Sequence, residues 1–311
     1  MEEVLSRLFC QRQRMNSMDI HFQVTSEYNG KKLYHILRGP MKLSSRLVTQ
    51  LKGQQGILIN GQPMRTIDPV RTGDLVSARI GFQEESFMIP EEIPLTVVYE
   101  DDCLLAVNKN PHTPVHPSMG HQSGTLAQGI LWHYQKQGLM TKVRPVNRLD
   151  RDTSGITLFA KNAHIQEQLI QQMKVNRVYK AYLGIVHGLF SPDSGTIRLP
   201  IGRKEGSLLE RVIDPQGDDS ITHYKTLEVH TGFSLVEFVL ETGRTHQIRV
   251  HAKALNHPLL GDWLYSDTPT PLIDRQALHA YQLAFDHPLS GERINLTAPL
   301  PEDMKRVLAH P

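Results

Sequence analysis

A densely charged segment that runs straight into an apolar one constrains this chain more than any other stretch. Residues 144–160 read RPVNRLDRDTSGITLFA. The alternating arginines and aspartates are typical of a loop, and Thr153-Ser154-Gly155 predicts a tight turn because glycine tolerates positive φ. Residues 156–160 predict a buried strand. A carboxylate on a loop that enters a core strand has a fixed direction, which suits catalysis, although a surface ion-pair loop would show the same pattern.

The totals allow one large core and a small additional module. The chain has 311 residues, of which 39% are hydrophobic and 21% charged, as in ordinary soluble proteins. Two cysteines, Cys10 and Cys103, suffice neither for a disulfide framework nor for a zinc site, so a reducing cytoplasm is expected. The sixteen histidines show no convincing ligand spacing, and we predict no metal.

Charge and hydropathy limit the classes of partner. No apolar run approaches the ~20 residues of a membrane helix, and the N-terminus lacks a signal-peptide core. The net charge is only +2, so a nucleic-acid surface requires local clustering. Residues 1–18 carry little pattern and are interpreted as a poorly ordered lead-in, with Met1, Met15 and Met18 all open as the natural start.

Residues 19–82 are predicted to form a separate unit with a basic surface. Between Glu27 and Asp68 there is no acidic residue, while seven lysines and arginines fall in the interval, among them Lys42, Arg46 and Lys52. Such asymmetry predicts an anion-facing surface, although a solvated basic face would look the same.

The local patterns of this unit predict two helices followed by small strands. One helical face comprises Leu33, Ile36 and Leu37, and a second comprises Leu47, Val48 and Leu51 behind the candidate N-cap Ser44. A strand then enters the hairpin signal Asn60-Gly61, and another strand follows the turn at Gly73-Asp74. The stretches KLSSRLVTQLKGQQGILINGQPM and VRTGDLV resemble the small RNA-binding module known from a ribosomal small-subunit protein, the S-four module.

Residues 83–94 are acidic and proline-containing and are predicted to be a linker to a unit covering residues 95–311. Strands are predicted at residues 104–107, 181–186, 234–240, 278–285 and 294–298. Helices are predicted around Leu126–Tyr134 and Ile165–Met173. Residues 195–206 and 214–219 are interpreted as excursions between strands. Because strands and helices do not alternate strictly, the fold class is α+β, with a mixed, mainly antiparallel central sheet flanked by helices and a small N-terminal α/β module.

A second polar cluster, TGRTHQIRVHAKALNHPLLGD at residues 242–262, follows a predicted core strand. A helix starting near Thr245 would turn Ile248 and Ala252 inward and place Arg249 near its first turn. A buried arginine needs an acidic partner, and Asp150 is the natural candidate. The pairing would keep the carboxylate ionised and fix its direction. An ordinary helix-end cluster of solvated basic residues is the alternative.

The segment NRLDRDTSG, residues 147–155, resembles the signature loop of the RluA family of pseudouridine synthases. Three further segments match in order: LLAVNKNPHTPVHPS, RVYKAYLGIVHG and TGRTHQIRVHAKALNHPLLGDWLY. The resemblance implies that Asp150 is the catalytic residue, that Arg249 is its partner, and that Tyr182 is the site tyrosine. Tyr179 would also match by residue type, but the distance to the following glycine favours Tyr182. Asn147 stands where the family usually has histidine.

The resemblance implies an RNA pseudouridine synthase, an isomerase that detaches uracil, rotates it and reattaches it through carbon five. No cofactor is expected, and the sequence has neither a phosphate-binding nor a dinucleotide-binding loop. The target base must leave its stack, so Tyr182 is expected to stack on it or to transfer a proton. Further candidate substrate contacts are Arg148, Arg151, Lys180, Arg244, His246 and Gln247.

The basic N-terminal module favours a large structured RNA as substrate, with ribosomal RNA ahead of transfer RNA and a cytoplasmic monomer as the expected form. Two alternatives come from other classes. One is a non-catalytic RNA-binding or ribosome-assembly protein on the same fold. The other is a glycosidase-like hydrolase, which needs two facing carboxylates. Asp152 is a poor opposing partner for Asp150 because it follows two residues later, and it is interpreted as a turn or capping carboxylate.

Overall fold

Strand pairing organises the chain in the computed structural model, which describes residues 18–310 apart from Met119, His121 and Ser191. Within these residues the strands form a four-stranded sheet, a ten-stranded sheet and a separate two-stranded hairpin. The predicted lead-in lies outside the described residues except for Met18, and Cys10 lies outside them as well. Among the described helices, none is long and apolar enough to cross a membrane.

The first sheet is antiparallel and packs on two short helices. Its elements are β1 (Asp19–Gln23), α1 (Leu33–Arg38), α2 (Ser45–Gly53), β2 (Ile57–Ile59), β3 (Gln62–Pro63) and β4 (Leu75–Arg79), with strand order β1-β4-β2-β3. Both predicted apolar helix faces are buried, and Ser44 caps α2 by accepting from the Leu47 amide. The predicted Asn-Gly hairpin is present, with Asn60 and Gly61 both at positive φ, as a tight hairpin turn requires.

Residues 80–96 contain no helix or strand, and the ten-stranded sheet follows. Its strands are β5 (Val97–Glu100), β6 (Leu104–Lys109), β7 (Arg144–Pro145), β8 (Ser154–Ala160), β9 (Tyr179–His187), β10 (Ser194–Arg198), β13 (Ile221–His230), β14 (Phe233–Leu240), β15 (Leu278–Asp286) and β16 (Arg293–Thr297). The intervening helices are α3 (Leu126–Lys136), α4 (Ala163–Lys174), α5 (Gln247–Ala254) and α6 (Glu302–Leu308). The separate hairpin pairs β11 (Ile201–Arg203) with β12 (Arg211–Ile213).

The sheet order is β10-β13-β14-β9-β15-β8-β6-β5, with β16 on β15 and β7 on β8. All pairings are antiparallel except that of β15 with β8, so the predicted mixed, mainly antiparallel α+β class is confirmed. Alternate side chains of β6 serve two cores. Leu105 and Val107 pack with α3, whereas Leu104 and Ala106 join a cluster that continues into the N-terminal module. The module therefore shares a hydrophobic cluster with the large sheet.

The predicted tight turn at Thr153-Ser154-Gly155 is wrong, because Ser154 and Gly155 already belong to β8. The turn falls at Arg151 and Asp152 instead. Gly155 does take positive φ (114°), but for a different reason. Its backbone lies so close to β15 that an added Cβ would sit 2.3 Å from the Ala280 carbonyl oxygen, so only glycine fits this parallel pairing.

Residues 195–206 were expected to be an excursion, but they contribute most of β10 and the whole of β11. Strand β13 was not predicted at all. Its sequence ITHYKTLEVH buries Thr222 and Tyr224 on one face, and a threonine-based inner face lacks the apolar alternation that marks a strand. The helix expected near Thr245 begins at Gln247, within the usual uncertainty of helix ends.

Candidate active site

Three buried basic side chains hold the charged loop between β7 and β8. Arg249 Nη1 donates to Asp150 Oδ2 at 3.2 Å. Lys109 Nζ donates to the Arg151 carbonyl oxygen at 2.7 Å. Arg275 Nη1 donates to the Asp152 carbonyl oxygen at 3.0 Å. Three successive residues of the loop are thus fixed by groups on different elements, so the direction of the Asp150 side chain is preorganised.

Arg249 bridges two carboxylates. Its Nε and Nη2 each lie 2.7 Å from an Asp262 oxygen in a two-pronged pair, and its guanidinium carbon lies 4.9 Å from the Tyr265 ring centre. Burial disfavours its charge, but the bonds to Asp262 and the charge of Asp150 outweigh that effect and raise the pKa of Arg249. The predicted contact with Asp150 is present, but Asp262 is the stronger partner.

The two carboxylates differ in access. The Asp262 side chain is fully buried, whereas 27% of the Asp150 side chain is exposed. Asp150 thus keeps an open face while Arg249 holds it from behind. An oriented and accessible carboxylate beside a cavity can act as a nucleophile or as a base.

Tyr182 forms the other wall of the cavity above Asp150. It lies on β9 and is buried. Burial, and secondarily the charge of Asp150, raise the pKa of its hydroxyl, so the phenol is neutral and offers an apolar ring with one polar end. Tyr179, the other match by residue type, is exposed and does not line this cavity.

The cavity itself is about 60 Å³, well below the ~300 Å³ of an ordinary ligand pocket. Its lining residues are Arg148, Leu149, Asp150, Thr153, Tyr182, Leu240, Arg244, His246, Gln247, Ile248, Arg249 and Leu278. A polar cleft of about 550 Å³ adjoins it and shares Arg148 and Arg244 with it. A small cavity that opens beside a larger polar cleft suits one small group carried on a longer polar chain.

His246 connects Asp150 to a second tyrosine. Its Nδ1 exchanges a hydrogen bond with the Tyr265 hydroxyl at 2.8 Å, and its Nε2 lies 3.8 Å from Asp150 Oδ2. Burial is the main cause that lowers the pKa of His246, against the opposing charge of Asp150. The residue adopts a left-handed conformation (φ 59°) at the start of α5, which costs free energy and is typical of functional positions.

Two predicted substrate contacts are occupied by the protein instead. The Gln247 amide is buried and bonded to Thr242, Arg244, Ile221 and Thr222. Lys180 Nζ lies 3.3 Å from the Glu241 carbonyl oxygen, and burial lowers its pKa to about 8. Both side chains shape the bend before α5, so their geometry favours positioning over direct contact with a ligand.

The remaining predicted contacts lie at the rim. Arg148 is exposed, while Arg244 binds the Asp219 carbonyl oxygen at 3.1 Å. Arg151 turns away to form two bonds with Asp152, at 2.8 and 3.0 Å. Asp152 is therefore a buried, ion-paired carboxylate within the turn. The module residues Lys42, Arg46 and Lys52 are all exposed, as an anion-facing surface requires.

Four residues that hold the site were missed from sequence: Lys109, Asp262, Tyr265 and Arg275. Lys109 and Asp262 lie inside segments already singled out, LLAVNKNPHTPVHPS and TGRTHQIRVHAKALNHPLLGD, so a search for partners of a buried arginine within these segments could have found Asp262. Arg275 lies outside every such segment and gave no signal.

Within the part of the chain that the structure describes, one group of potential metal ligands lies elsewhere, at Asp101, Cys103 and His287, whose ligand atoms lie within 4.8 Å of one another. The Asp101 carboxylate already accepts from the Tyr99 hydroxyl and from the Cys103 and Leu104 amides. Burial, with the charge of Asp101, raises the pKa of the Cys103 thiol to about 12. Because metal ligation requires the thiolate, this geometry is that of a structural turn.

The arrangement of loop, arginine and tyrosine defines a class of protein that comparison with known sequences identifies. Residues 103–254, which include Asp150, Tyr182 and Arg249, match the family model described as RNA pseudouridylate synthase. The uncharacterized RNA pseudouridine synthase YjbO of Bacillus subtilis is 41% identical over 274 residues, covering 87% of this chain and 96% of that protein. This chain belongs to the RNA pseudouridylate synthase family, as the resemblance to the RluA family implied.

The names of some relatives include the RNA on which they act. Ribosomal large subunit pseudouridine synthase D of Neisseria meningitidis serogroup A is 37% identical over 278 residues, covering 85% of this chain and 74% of that protein. Among solved structures, human RNA pseudouridylate synthase domain containing 1 is 29% identical, with a TM-score of 0.55, covering 67% of this chain and 84% of that chain. The protein is thus an enzyme of the pseudouridine synthase class, an isomerase.

Proposed function

We propose that the protein converts uridine to pseudouridine in large-subunit ribosomal RNA, with Asp150 as the catalytic residue. One observation carries the assignment: the accessible Asp150 carboxylate is held by Arg249 in a cavity walled by Tyr182. Support for the substrate comes from relatives named ribosomal large subunit pseudouridine synthase D and from the exposed basic residues of the N-terminal module.

The reaction breaks the bond between C1′ and N1 of uridine and forms one between C1′ and C5, with the C5 proton lost and N1 protonated. Asp150 would act at the ribose carbon, at the uracil ring or on a ribose proton. Arg249 would keep the Asp150 carboxylate oriented throughout. Tyr182 would stack on the base, and since the pKa of its hydroxyl is raised, the phenol suits donating a hydrogen bond rather than losing its proton.

A hydrolase reading finds little support in the geometry. It requires a second accessible carboxylate facing the first. Asp152 is bonded to Arg151 and contacts His112 Nδ1 at 3.2 Å, and 8% of its side chain is exposed. Asp262 is fully buried against Arg249. Neither can oppose Asp150 across a bound sugar.

The N-terminal module would deliver the RNA. Lys42, Arg46 and Lys52 extend from α2 and the turn before it, and their charges would meet phosphates without reading sequence. We extend the proposal to a monomeric, cytoplasmic enzyme that needs no cofactor, the form in which ribosomal RNA is accessible to it.

Asp150→Asn tests the catalytic assignment because it keeps the shape and removes the charge. We expect kcat on ribosomal RNA to fall on the order of 10³-fold or more, with RNA affinity within a few-fold of wild type. Asp152→Asn is the matched control and is expected to stay within about tenfold of wild-type kcat. Tritium release from RNA labelled at uridine C5 measures the reaction, and filter binding measures affinity.

Three outcomes would contradict the proposed activity. Continued modification by Asp150→Asn would remove Asp150 from the chemistry. Release of free uracil would identify a hydrolase. Tight RNA binding by wild type with no isomerisation of any RNA would leave a binding or assembly protein. Mapping pseudouridines chemically in cells with and without the gene would identify the RNA, and an effect on transfer RNA alone would overturn the ribosomal assignment.

A further inference from the structure

A polar cleft of about 550 Å³ beside the Asp150 cavity has a lining that the proposed chemistry does not use. Four arginines line it: Arg148, Arg203, Arg211 and Arg244. Two of them, Arg203 and Arg211, come from the separate β11–β12 hairpin and belong to none of the predicted site residues. The guanidinium groups of Arg148 and Arg203 have no protein partner among the described residues.

Arg203 and Arg211 are directly opposite one another in the antiparallel register of β11 and β12. Opposite residues of an antiparallel pair point to the same face with their Cβ atoms ~5 Å apart, and like charges there destabilise the pair. An anion bound between the two guanidinium groups would turn the repulsion into attraction, since arginine binds phosphate through paired donors.

The acidic residues of the cleft have other roles. Asp214 Oδ1 accepts from the Gln216 amide at 2.9 Å and stabilises the turn after β12. Asp218 Oδ2 lies 3.7 Å from Arg244 Nη1. On the same hairpin, Lys204 and Glu210 pair with each other at 2.7 Å. Arg211 Nη1 donates to the carbonyl oxygens of Leu209 and Glu210 at 3.3 and 3.2 Å, but these acceptors carry no charge. Among the described residues no carboxylate pairs with Arg148, Arg203 or Arg211, so the unpaired charge of the cleft is cationic.

The hairpin is tied to the reacting carboxylate. The Arg211 amide donates to the Tyr265 hydroxyl at 2.8 Å, and the same hydroxyl bonds His246, which lies beside Asp150. A ligand held by the arginine pair would thus occupy a fixed place relative to Asp150. A chain with a phosphate every nucleotide, entering the small cavity with one base, would place a neighbouring phosphate in this cleft.

We propose that Arg203 and Arg211 form a binding site for a backbone phosphate of the RNA strand next to the uridine that enters the Asp150 cavity. The inference rests on the proposed function and adds the hairpin to the substrate site. Its role is to hold the strand in register, because a phosphate contact positions RNA without specifying sequence.

The test compares the double variant Arg203→Gln/Arg211→Gln with Lys204→Gln, which removes a charge from the same hairpin outside the cleft. Binding to a large-subunit ribosomal RNA transcript is measured against salt concentration. The double variant is expected to bind ~10-fold more weakly, and the slope of log affinity against log salt should become shallower by about one. Lys204→Gln should leave the slope unchanged. In tritium release, the double variant should raise KM with kcat within about threefold.

Folding provides a second readout, because the relief of like-charge repulsion should offset the loss of the Arg211 bonds to the Leu209 and Glu210 carbonyl oxygens and leave the melting temperature close to that of wild type. A clear drop would mean that the arginines support the hairpin, and the inference would fail. Arg203→Lys/Arg211→Lys keeps the charge and should keep the salt slope; a loss equal to that of the glutamine variant would exclude a phosphate contact. A change in the salt slope of Lys204→Gln equal to that of the double glutamine variant would also exclude a phosphate contact. If wild type neither binds nor modifies the RNA, the proposed function itself is wrong, which is a separate outcome.

Discussion

Two buried arginines, Arg275 and Arg249, bond the same loop. They differ in the acceptors of their remaining hydrogen bonds. The Arg275 side chain is fully buried. Its Nε and Nη2 bond the Asp303 carboxylate at 2.6 and 3.0 Å, and its Nη1 lies within 3.3 Å of the carbonyl oxygens of Asp152, Gln276 and Leu278. Arg275 is fully buried and its bonds go to protein acceptors, so it is a structural clamp.

Arg249 also forms a two-pronged bond with one aspartate, Asp262, but its third contact is different. Nη1 reaches Asp150, whose side chain is partly exposed. The cavity above them is lined by Arg249, Asp150 and Tyr182. Here the arginine network ends in a carboxylate with an open face.

The difference shows that a buried arginine–aspartate pair does not by itself mark an active site. Such pairs are weak evidence even for stability, since desolvation offsets much of their attraction. The Arg249 and Arg275 networks differ in one respect: only the hydrogen bonds of Arg249 lead to a carboxylate that is accessible. At Arg275 every donor meets an internal acceptor, whereas at Arg249 the last acceptor keeps bonding capacity for a substrate.

Among the variants considered, Arg249→Met should have the largest effect, because it should lower both stability and kcat. The change leaves Asp262 as a fully buried carboxylate without its cation, which costs ~3–5 kcal/mol of unfolding free energy. It also frees Asp150 to rotate, and a misplaced catalytic group can cost 10²-fold or more in rate. We expect kcat to fall on the order of 10³-fold. Urea unfolding and single-turnover tritium release measure the two effects.

Arg275→Met is the matched control for that experiment. It removes a buried cation from the same loop and should destabilise the protein by a similar ~3–5 kcal/mol. Asp150 and Arg249 stay in contact, so the folded fraction should keep kcat within about tenfold. Equal losses of kcat in both variants would show that the two arginines have the same function and that the distinction drawn above is wrong.

Acid should destabilise the region around Arg275 through His279. This histidine is buried, and its ring lies 2.9 Å from Ser154 Oγ. Burial is the main cause that lowers the pKa of His279 to about 4, against an unfolded value of ~6.5. Because the unfolded chain binds the proton first, this contribution is complete above pH 6.5 and is lost as the pH falls toward 4, by at most ~3 kcal/mol. Urea midpoints measured from pH 7 to pH 4 would record the loss.

Histidine variants separate His279 from general acid effects. His279→Asn should reduce the pH dependence but not abolish it, because His164, whose pKa burial also lowers to about 4, remains. His35→Asn, at an exposed position in α1, should leave the dependence as in wild type. If His279→Asn keeps the full acid sensitivity, His279 is not its source.

Most of the architecture was predicted from local patterns, because apolar residues at helix or strand spacing show which face of an element is buried. The two helices of the module, the Ser44 cap, the Asn-Gly hairpin and the central strands were predicted correctly. Strand β13 was not, since its buried face includes Thr222, whose hydroxyl serves Gln247 and His251. Polar residues that are buried because of distant partners leave no period in the sequence.

The same limit explains the site. Asp150, Tyr182 and Arg249 were found because a family pattern carries them, and the contact of Arg249 with Asp150 is present. Asp262 and Arg275 act through contacts set only by the fold, the latter 123 residues from its Asp152 partner. Gln247, predicted as a substrate contact, lines the cavity, but its amide is bonded within the protein. A glutamine within a polar cluster gives no sign in the sequence that it also closes a bend.

Asn147→His should have the smallest effect and tests whether the loop edge, rather than the two arginines, sets the position of Asp150. The Asn147 side chain accepts from the Leu158 amide at 2.8 Å and donates to the Ile156 carbonyl oxygen at 3.1 Å. A neutral histidine, the residue usual in the family, also has one donor and one acceptor. We expect a loss of ~1 kcal/mol in unfolding free energy at most.

Because Asp150 is held by Arg249 and not by Asn147, kcat should stay within about twofold of wild type. Asn147→Ala is the matched variant: it leaves the Leu158 amide and the Ile156 carbonyl without this partner and should cost ~2 kcal/mol, again with little change in kcat. Urea unfolding and tritium release would record both quantities on the same samples. A fall in kcat approaching that of Arg249→Met would mean that the edge of β8 aims the carboxylate, and the contrast between the two arginines would then describe stability alone.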